Sequence, residues 1–187
     1  KELLFEYLNK KGLISIDKSF NKNTIQIGKI TMIDNNFLKN KVNLQDGIIN
    51  LQDGIYYINN ETVIDFDTTI IGNKKTIIIG GFTINGEING KRKVEIKNIS
   101  IMNRKGNGLS IYNGGNIKVT NVLIDRCGRN GILIAGKANV EIIDSSIKNC
   151  KNNGIYCTNE GMIKLKGNIK ITGNNKSNFD DFYYGIN

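Results

Sequence analysis

The 187-residue chain repeats itself every 23 residues, and few folds accommodate such a period. Asn-Gly recurs at 107–108, 130–131 and 153–154. A fixed period of roughly 20 to 50 residues marks a solenoid, propeller or array. The register runs without gaps: Leu109, Ile132 and Ile155 align, then Ile111, Ile134 and Cys157, then Ile117, Val140 and Ile163, then Val119, Ile142 and Leu165. Val94, Ile96, Asn98, Ile99 and Ile101 stand one period ahead of Ile117, Val119, Asn121, Val122 and Ile124. Four copies of a many-position pattern are not an accident of composition.

Within a copy the apolar residues come in pairs two apart, as in Leu109 and Ile111, Ile117 and Val119, Val122 and Ile124. That is the periodicity of a strand, not of a helix. Three short strands fill each copy, punctuated by Gly and Asn in RKGNG, NGG and CGRNG, residues suited to corners with positive φ. A coil with three strands and three corners per turn is a single-stranded right-handed parallel β-helix, all-β, each strand pairing with its counterpart one lap on. About six inward apolar side chains per lap supply the core, at roughly 1.5 to 3 kcal/mol for each full burial.

On these residues the chain resembles the pectin-lyase-like superfamily of parallel β-helix proteins. Asn98, Asn121 and Asp144 match the stacked Asn ladder that many members carry at one corner, and Gly167 breaks it in the next lap. The stretch IINLQDGIYYINNETVIDFDTTIIGN, residues 48 to 73, resembles the family's opening laps. The resemblance covers residues 45 to 175 and implies a fold. The superfamily holds lyases, hydrolases, epimerases, viral spikes and non-catalytic modules, so activity must be read from a site.

Three segments are expected. Residues 1–44 form an N-terminal cap: KELLFEYLNKKG puts Leu4, Tyr7 and Leu8 on one helical face with Gly12 as a stop, and LISID and TIQIGKITMI read as strands. Residues 45–175 form six or so laps, and 176–187 a C-terminal cap or partner-contact segment. There Phe179, Phe182, Tyr183 and Tyr184 either plug the last lap or join two copies as a homo-oligomer. No apolar run is long enough for a membrane span. Three cysteines without metal-ligand spacing point to reduced, packed thiols. With no secretory signal, a cytoplasmic or virion setting is expected. Cys127 and Cys150, one period apart, stack at one corner. Abundant Lys, Asn and Ile with no His, Pro or Trp read as coding from an AT-rich genome.

The formal charge of +9 matters through its placement. Glu95, Lys118, Glu141 and Lys164 alternate in sign up one face and read as a structural ion-pair ladder. The corner after the third strand differs. Arg104, Lys105, Arg126, Arg129, Lys148 and Lys151 gather there over three laps, opposed only by Asp125, and form a basic ridge. The next strand turns Ser110, Leu133 and Tyr156 outward, so Leu133 and Tyr156 join the ridge as candidate binding residues.

Catalysis makes demands this corner does not meet. Glycoside hydrolysis needs two carboxylates across the scissile bond, and the resemblance implies calcium-binding acids with an Arg or Lys base for lyases. The family places these on the strand after the ridge, which here offers Ser110, Leu133, Tyr156, then Tyr112, Ala135 and Thr158. The family's catalytic-region His has no counterpart in a chain without histidine. Asp65 and Asp67, in the early laps, and Asp180 and Asp181, beyond the regular repeats, are the acids left to consider. No catalytic residue, metal ligand or cofactor is therefore assigned. The expected role is a non-catalytic binding or structural module, viral or surface-associated, contacting an anionic polysaccharide or a protein surface. The alternatives are a polysaccharide lyase or glycoside hydrolase with a divergent site, and a repeat scaffold in a larger intracellular complex. Nucleic acid is disfavoured because stacking aromatics are missing apart from Tyr156.

Overall fold

Alternation of inward and outward side chains, sustained at a fixed period, closes this chain into a coil. The computed structural model describes residues 47–58, 62–73, 75–86, 91–158 and 160–175, residues 37 and 38, and the strands β1 (Ile14–Asp17), β2 (Thr24–Ile27), β3 (Ile30–Ile33) and β21 (Phe179–Asp180). The expected capping helix and the aromatics Phe182, Tyr183 and Tyr184 lie outside the described residues.

Three parallel sheets form the walls of the coil. Sheet 1 stacks β4 (Ile48–Asn50), β7 (Thr68–Ile71), β10 (Lys93–Lys97), β13 (Asn116–Thr120), β16 (Asn139–Ile143) and β19 (Met162–Lys166). Sheet 2 stacks β3, β5 (Gly54–Ile58), β8 (Thr76–Ile79), β11 (Ser100–Met102), β14 (Leu123–Asp125), β17 (Ser146–Lys148) and β20 (Lys170–Thr172). Sheet 3 stacks β6 (Val63–Ile64), β9 (Phe82–Asn85), β12 (Leu109–Tyr112), β15 (Ile132–Ala135), β18 (Ile155–Thr158) and β21. β1 and β2 make a separate antiparallel pair. This is an all-β right-handed parallel β-helix of about 5 turns. The middle laps keep the expected register, Lys93 over Asn116 over Asn139 over Met162.

The inward column is the core. Leu109, Ile111, Ile117, Val119, Val122 and Ile124 fill one lap, and all are buried. The lap above substitutes Ser145 for the Val122 position, and its hydroxyl stays satisfied: it accepts from the Val122 N–H at 3.1 Å and donates to the Ile143 carbonyl at 2.7 Å. A buried hydroxyl without such partners would cost free energy. Cys127, Cys150 and Cys157 are free thiols inside the same core.

At the corner between sheets 1 and 2 the backbone turns left-handed, with φ of 57° at Asn98, 53° at Asn121, 47° at Asp144 and 68° at Gly167. The Asn121 amide donates to Asn98 Oδ1 at 2.9 Å. Gly167 therefore ends the side-chain ladder while keeping its backbone shape. Asp144 Oδ1 turns to the Asn168 N–H instead, at 2.8 Å. Not every corner glycine serves φ. Gly108 and Gly131 are required for room: a Cβ on Gly131 would meet Ile147 Cγ2 at 2.3 Å and the Gly154 carbonyl oxygen at 2.5 Å.

The outward charges of sheet 1 stack as expected, Glu95 beside Lys118 beside Glu141 beside Lys164. Lys118 reaches Glu95 at 3.5 Å, whereas Glu141 takes Lys166, diagonally one lap on, at 2.5 Å. The Lys166 ammonium holds the Glu141 carboxyl below its ordinary value. Exposed pairs of this kind contribute a fraction of a kcal/mol each.

Candidate functional site

Three successive laps turn from sheet 2 into sheet 3 through six-residue corners, at 103–108, 126–131 and 149–154, and the basic residues sit on or beside these corners. The lower one is a tight Asx turn: Asn103 Oδ1 accepts the Lys105 and Gly106 N–H groups at 3.2 and 3.1 Å, and its amide donates to the Asn107 carbonyl at 2.7 Å. Closing that turn with a buried side chain throws Arg104 and Lys105 outward, and both are exposed. In the corners above, Arg126 and Asn149 take left-handed backbone at φ 55° and 56°.

A ladder of amides ties these corners together. Asn107 Oδ1 accepts the Asn130 N–H at 2.9 Å, and Asn130 Oδ1 accepts the Asn153 N–H at 3.1 Å. This is the structural use of the Asn-Gly repeat: Asn bonds to the lap above, and the following Gly leaves space for the sheet 2 isoleucine.

The six expected cations do come to one corner of the coil, but not on equal terms. Arg104, Lys105, Arg129 and Lys151 are exposed. Lys148 is half-buried at the end of β17, where it pairs across from Asp125. Arg126 is half-buried and turns toward Asp125, Nε to Oδ2 at 4.0 Å. Asp125 itself is only 3% exposed and accepts from the Asn149 amide at 2.9 Å. The one acid of the corner thus lies beneath the ridge rather than on it. The sequence pattern identified the cations but could not separate the four facing solvent from the two half-buried beside Asp125.

Leu133 and Tyr156 are neighbours in register on sheet 3, both half-buried and outward, in a column that runs Val63, Thr83, Ser110, Leu133, Tyr156, Asp180. Between that column and the ridge lies a cleft of about 190 Å³ whose lining includes Lys105, Arg129, Thr83, Ser110, Asn103 and Asn107. Ser110 Oγ accepts from the Asn107 amide at 3.0 Å, which orients the hydroxyl beside the two cations. Thr83, Asn103 and Asn107 were not singled out from sequence. Thr83 belongs to a 27-residue lap, Ser110 lying one lap above it, and a search at period 23 passes over it.

Asp65 and Asp67 stand away from the ridge, at the corner leading from sheet 3 into sheet 1, where Asp67 Oδ1 accepts the Lys93 N–H at 3.0 Å. Asp180 pairs with Tyr156 in β21, and Asp181 lies outside the described residues. Among the described residues no group of three or more Cys, Asp or Glu gathers in a way that could hold a metal ion. The Cys127 thiol, under the ridge, has its pKa raised by its hydrogen bond with the Cys150 thiol and then by burial. Two larger hollows, of about 440 and 450 Å³, lie on a different face, along the outside of sheet 1.

Over residues 12–187 the chain matches the family described as right handed beta helix region. No curated protein and no solved structure gives a match.

Proposed function

Because the chain belongs to the right-handed β-helix family, a family whose fold leaves function to the surface, we propose that it is a binding module for a repeating anionic polymer, an acidic polysaccharide, held along the corner between sheets 2 and 3. The observation that carries this reading is the ridge: four exposed cations over three laps, with the nearest acid, Asp125, buried. Laps stack at about 4.8 Å, so cations on successive corners recur at a spacing comparable to the rise of a sugar residue. The polar cleft with Lys105, Arg129 and Ser110 offers both charge and a hydroxyl to one acidic group. Leu133 and Tyr156 give an adjoining surface on which a sugar face can rest.

Retention on a sulfated or uronate matrix tests it. The wild-type chain should be retained at low salt and released as ionic strength rises, because exposed charges are screened over about 8 to 10 Å near physiological salt. Reversal of Arg104, Lys105 and Arg129 to Glu should lower affinity at least tenfold with unchanged circular dichroism. Reversal of Lys93, Lys164 and Lys170, equal in charge but off the ridge, should leave most of it. Equal loss in both triple variants would mean that net charge alone drives retention, and the reading would fall.

A second reading, cleavage of such a polymer, draws on Asp180, which pairs in register with Tyr156 on sheet 3. Release of reducing ends or unsaturated products from uronate polymers, abolished by Asp180→Asn, would establish it.

A further inference from the structure

The outside of sheet 1 carries a pattern that the ridge does not use. Its outward side chains form a grid of strands by columns. One column reads Ile48, Thr69, Glu95, Lys118, Glu141, Lys164; the next reads Asn50, Ile71, Lys97, Thr120, Ile143, Lys166. A third carries Lys93, Asn116, Asn139 and Met162, with Asp67 bonded to Lys93 at its foot. Each end of the face carries one exposed hydrophobic side chain. Among the described residues the large hydrophobics most open to solvent are Ile48 at 40%, Tyr112 at 37% and Met162 at 58%, and two of these three stand on this sheet, on its first and last strands.

We propose that this face is the interface of a two-fold homodimer, two copies packed sheet 1 to sheet 1 with their coils antiparallel. A two-fold contact is self-complementary: if one residue meets another, the second meets the first. With the axis along the strand direction, the first strand of one copy faces the sixth of the other, the second faces the fifth, and the third faces the fourth.

The grid satisfies that condition at every full-overlap contact. Glu95 faces Lys118 of the other copy, and Lys118 faces its Glu95, beside the Lys118 to Glu95 contact already made within each chain at 3.5 Å. Ile71 faces Ile143, Thr69 faces Glu141, Lys97 faces Thr120, Asn50 faces Lys166, Lys93 faces Asn116, and Asp67 faces Asn139. Ile48 meets the stem of Lys164, next to Met162. No like charges meet.

Several neighbouring arrangements fail on charge, and others bury less of the face. Moving the axis up by one lap sets Lys97 against Lys166, and passing it through the third or fourth strand sets Glu95 on Glu95 or Lys118 on Lys118; moving it down by one lap joins no like charges but leaves only four of the six strands facing and separates Ile71 from Ile143. With coils parallel and the axis along the central column, every charge in that column meets itself. Like charges brought together across an interface cost several kcal/mol, so the pattern favours the full-overlap register, which avoids them while facing all six strands.

The face measures roughly 24 by 16 Å from strand and residue spacing, about 400 Å² per copy. That lies below a standard interface, so a weak, concentration-dependent dimer is expected. The interface is separate from the ridge and leaves it open on both copies.

Sedimentation of the whole chain from low micromolar to roughly 1 mM decides the matter. The wild type should pass from monomer to dimer. Glu95→Lys and Lys118→Glu should each raise the dissociation constant at least tenfold. An equimolar mixture of the two variants should dimerise again, since each copy then presents charges opposite to those of the other. That recovery cannot come from the intra-chain pair, which stays broken in both. Should the single variants fail to fold, Ile143→Lys, at an outward position facing Ile71, should weaken the dimer by itself. A wild type that remains monomeric throughout, a dimer indifferent to these substitutions, or a mixture that stays monomeric would each overturn the proposal.

Discussion

A residue at φ near +53° must either lack a Cβ or earn its place some other way, and Asn121 does so through its amide. Its bond to Asn98 at 2.9 Å offsets the left-handed strain, which for a β-branched residue reaches roughly 1–3 kcal/mol. Asn121→Val should therefore lower stability in urea unfolding by about 2–4 kcal/mol, strain and lost hydrogen bond together. Asn121→Gly should cost about 1 kcal/mol, the bond alone. Equal costs would mean that strain is not what Asn relieves. The inward and outward registers give a second test at this scale. Ile134 is fully buried, so Ile134→Asp places an unpaired charge in the core and should cost more than about 4 kcal/mol. Its neighbour Leu133 points out, and Leu133→Asp should cost less than about 1 kcal/mol in the same thermal melts. Cys127 adds a pH dependence. Its folded pKa is raised above the ordinary thiol value of 9.0, so its contribution is complete below that pH and is lost as the pH rises past it. The advantage of wild type over Cys127→Ala, about 1–2 kcal/mol at pH 7, should shrink above roughly pH 9. An advantage that stays constant to pH 10 would deny the thiol its buried, neutral state.

Corners, more than strands, decide what this surface can do. The strands were legible from the sequence because an inward Ile at every second position has only one periodic interpretation: Leu109 and Ile111, or Ile132 and Ile134, declare both strand and facing. The cation cluster was legible from the repeat more loosely, since Arg104, Arg126, Lys148 and their neighbours fall on or beside the same corner of successive laps without sharing a column. What each corner does with its chain was not. Asn103 and Gly106 close one turn through side-chain hydrogen bonds, whereas Arg126 closes the next through left-handed backbone and leans on a buried acid. Equal spacing hides that difference, because the Asn103 hydrogen bonds stay within one corner and are not repeated in the next, unlike the Asn107 to Asn130 to Asn153 ladder that recurs at the period. Gly131 shows a related ambiguity. Read as a residue for positive φ, it turns out to be a gap into which Ile147 packs. Gly131→Ala should destabilise by about 1–3 kcal/mol and disturb the Asn130 to Asn153 bond, visible as faster amide exchange at Asn153. Unchanged exchange there would mean that the corner moves as easily as a loop.

At the scale of the whole molecule the period is a rule about columns rather than about chain length. Laps on sheet 3 run from 20 residues, Val63 to Thr83, to 27, Phe82 to Leu109, yet the inward columns never shift. Corners absorb the difference. A lap should therefore be removable if the alternation is kept. Deleting residues 118–140 joins Ile117 to Glu141 and preserves the order of inward and outward positions. Deleting residues 118–139 joins Ile117 to Val140 and breaks it, turning downstream side chains to the wrong face. The first variant should fold into a shorter stack with a lower melting temperature, and the second should lose cooperative unfolding. Similar melts for both would refute the rule. The same columns fix how the molecule bears a load. Its inter-strand hydrogen bonds join each lap to the next, so tension along the coil falls on one rung at a time and peels laps in turn, at low force and over a long extension. Tension along the strand direction meets many rungs at once in shear. The protein is compliant in one direction and stiff in the other, and an attachment point on a corner sets which of the two a partner feels.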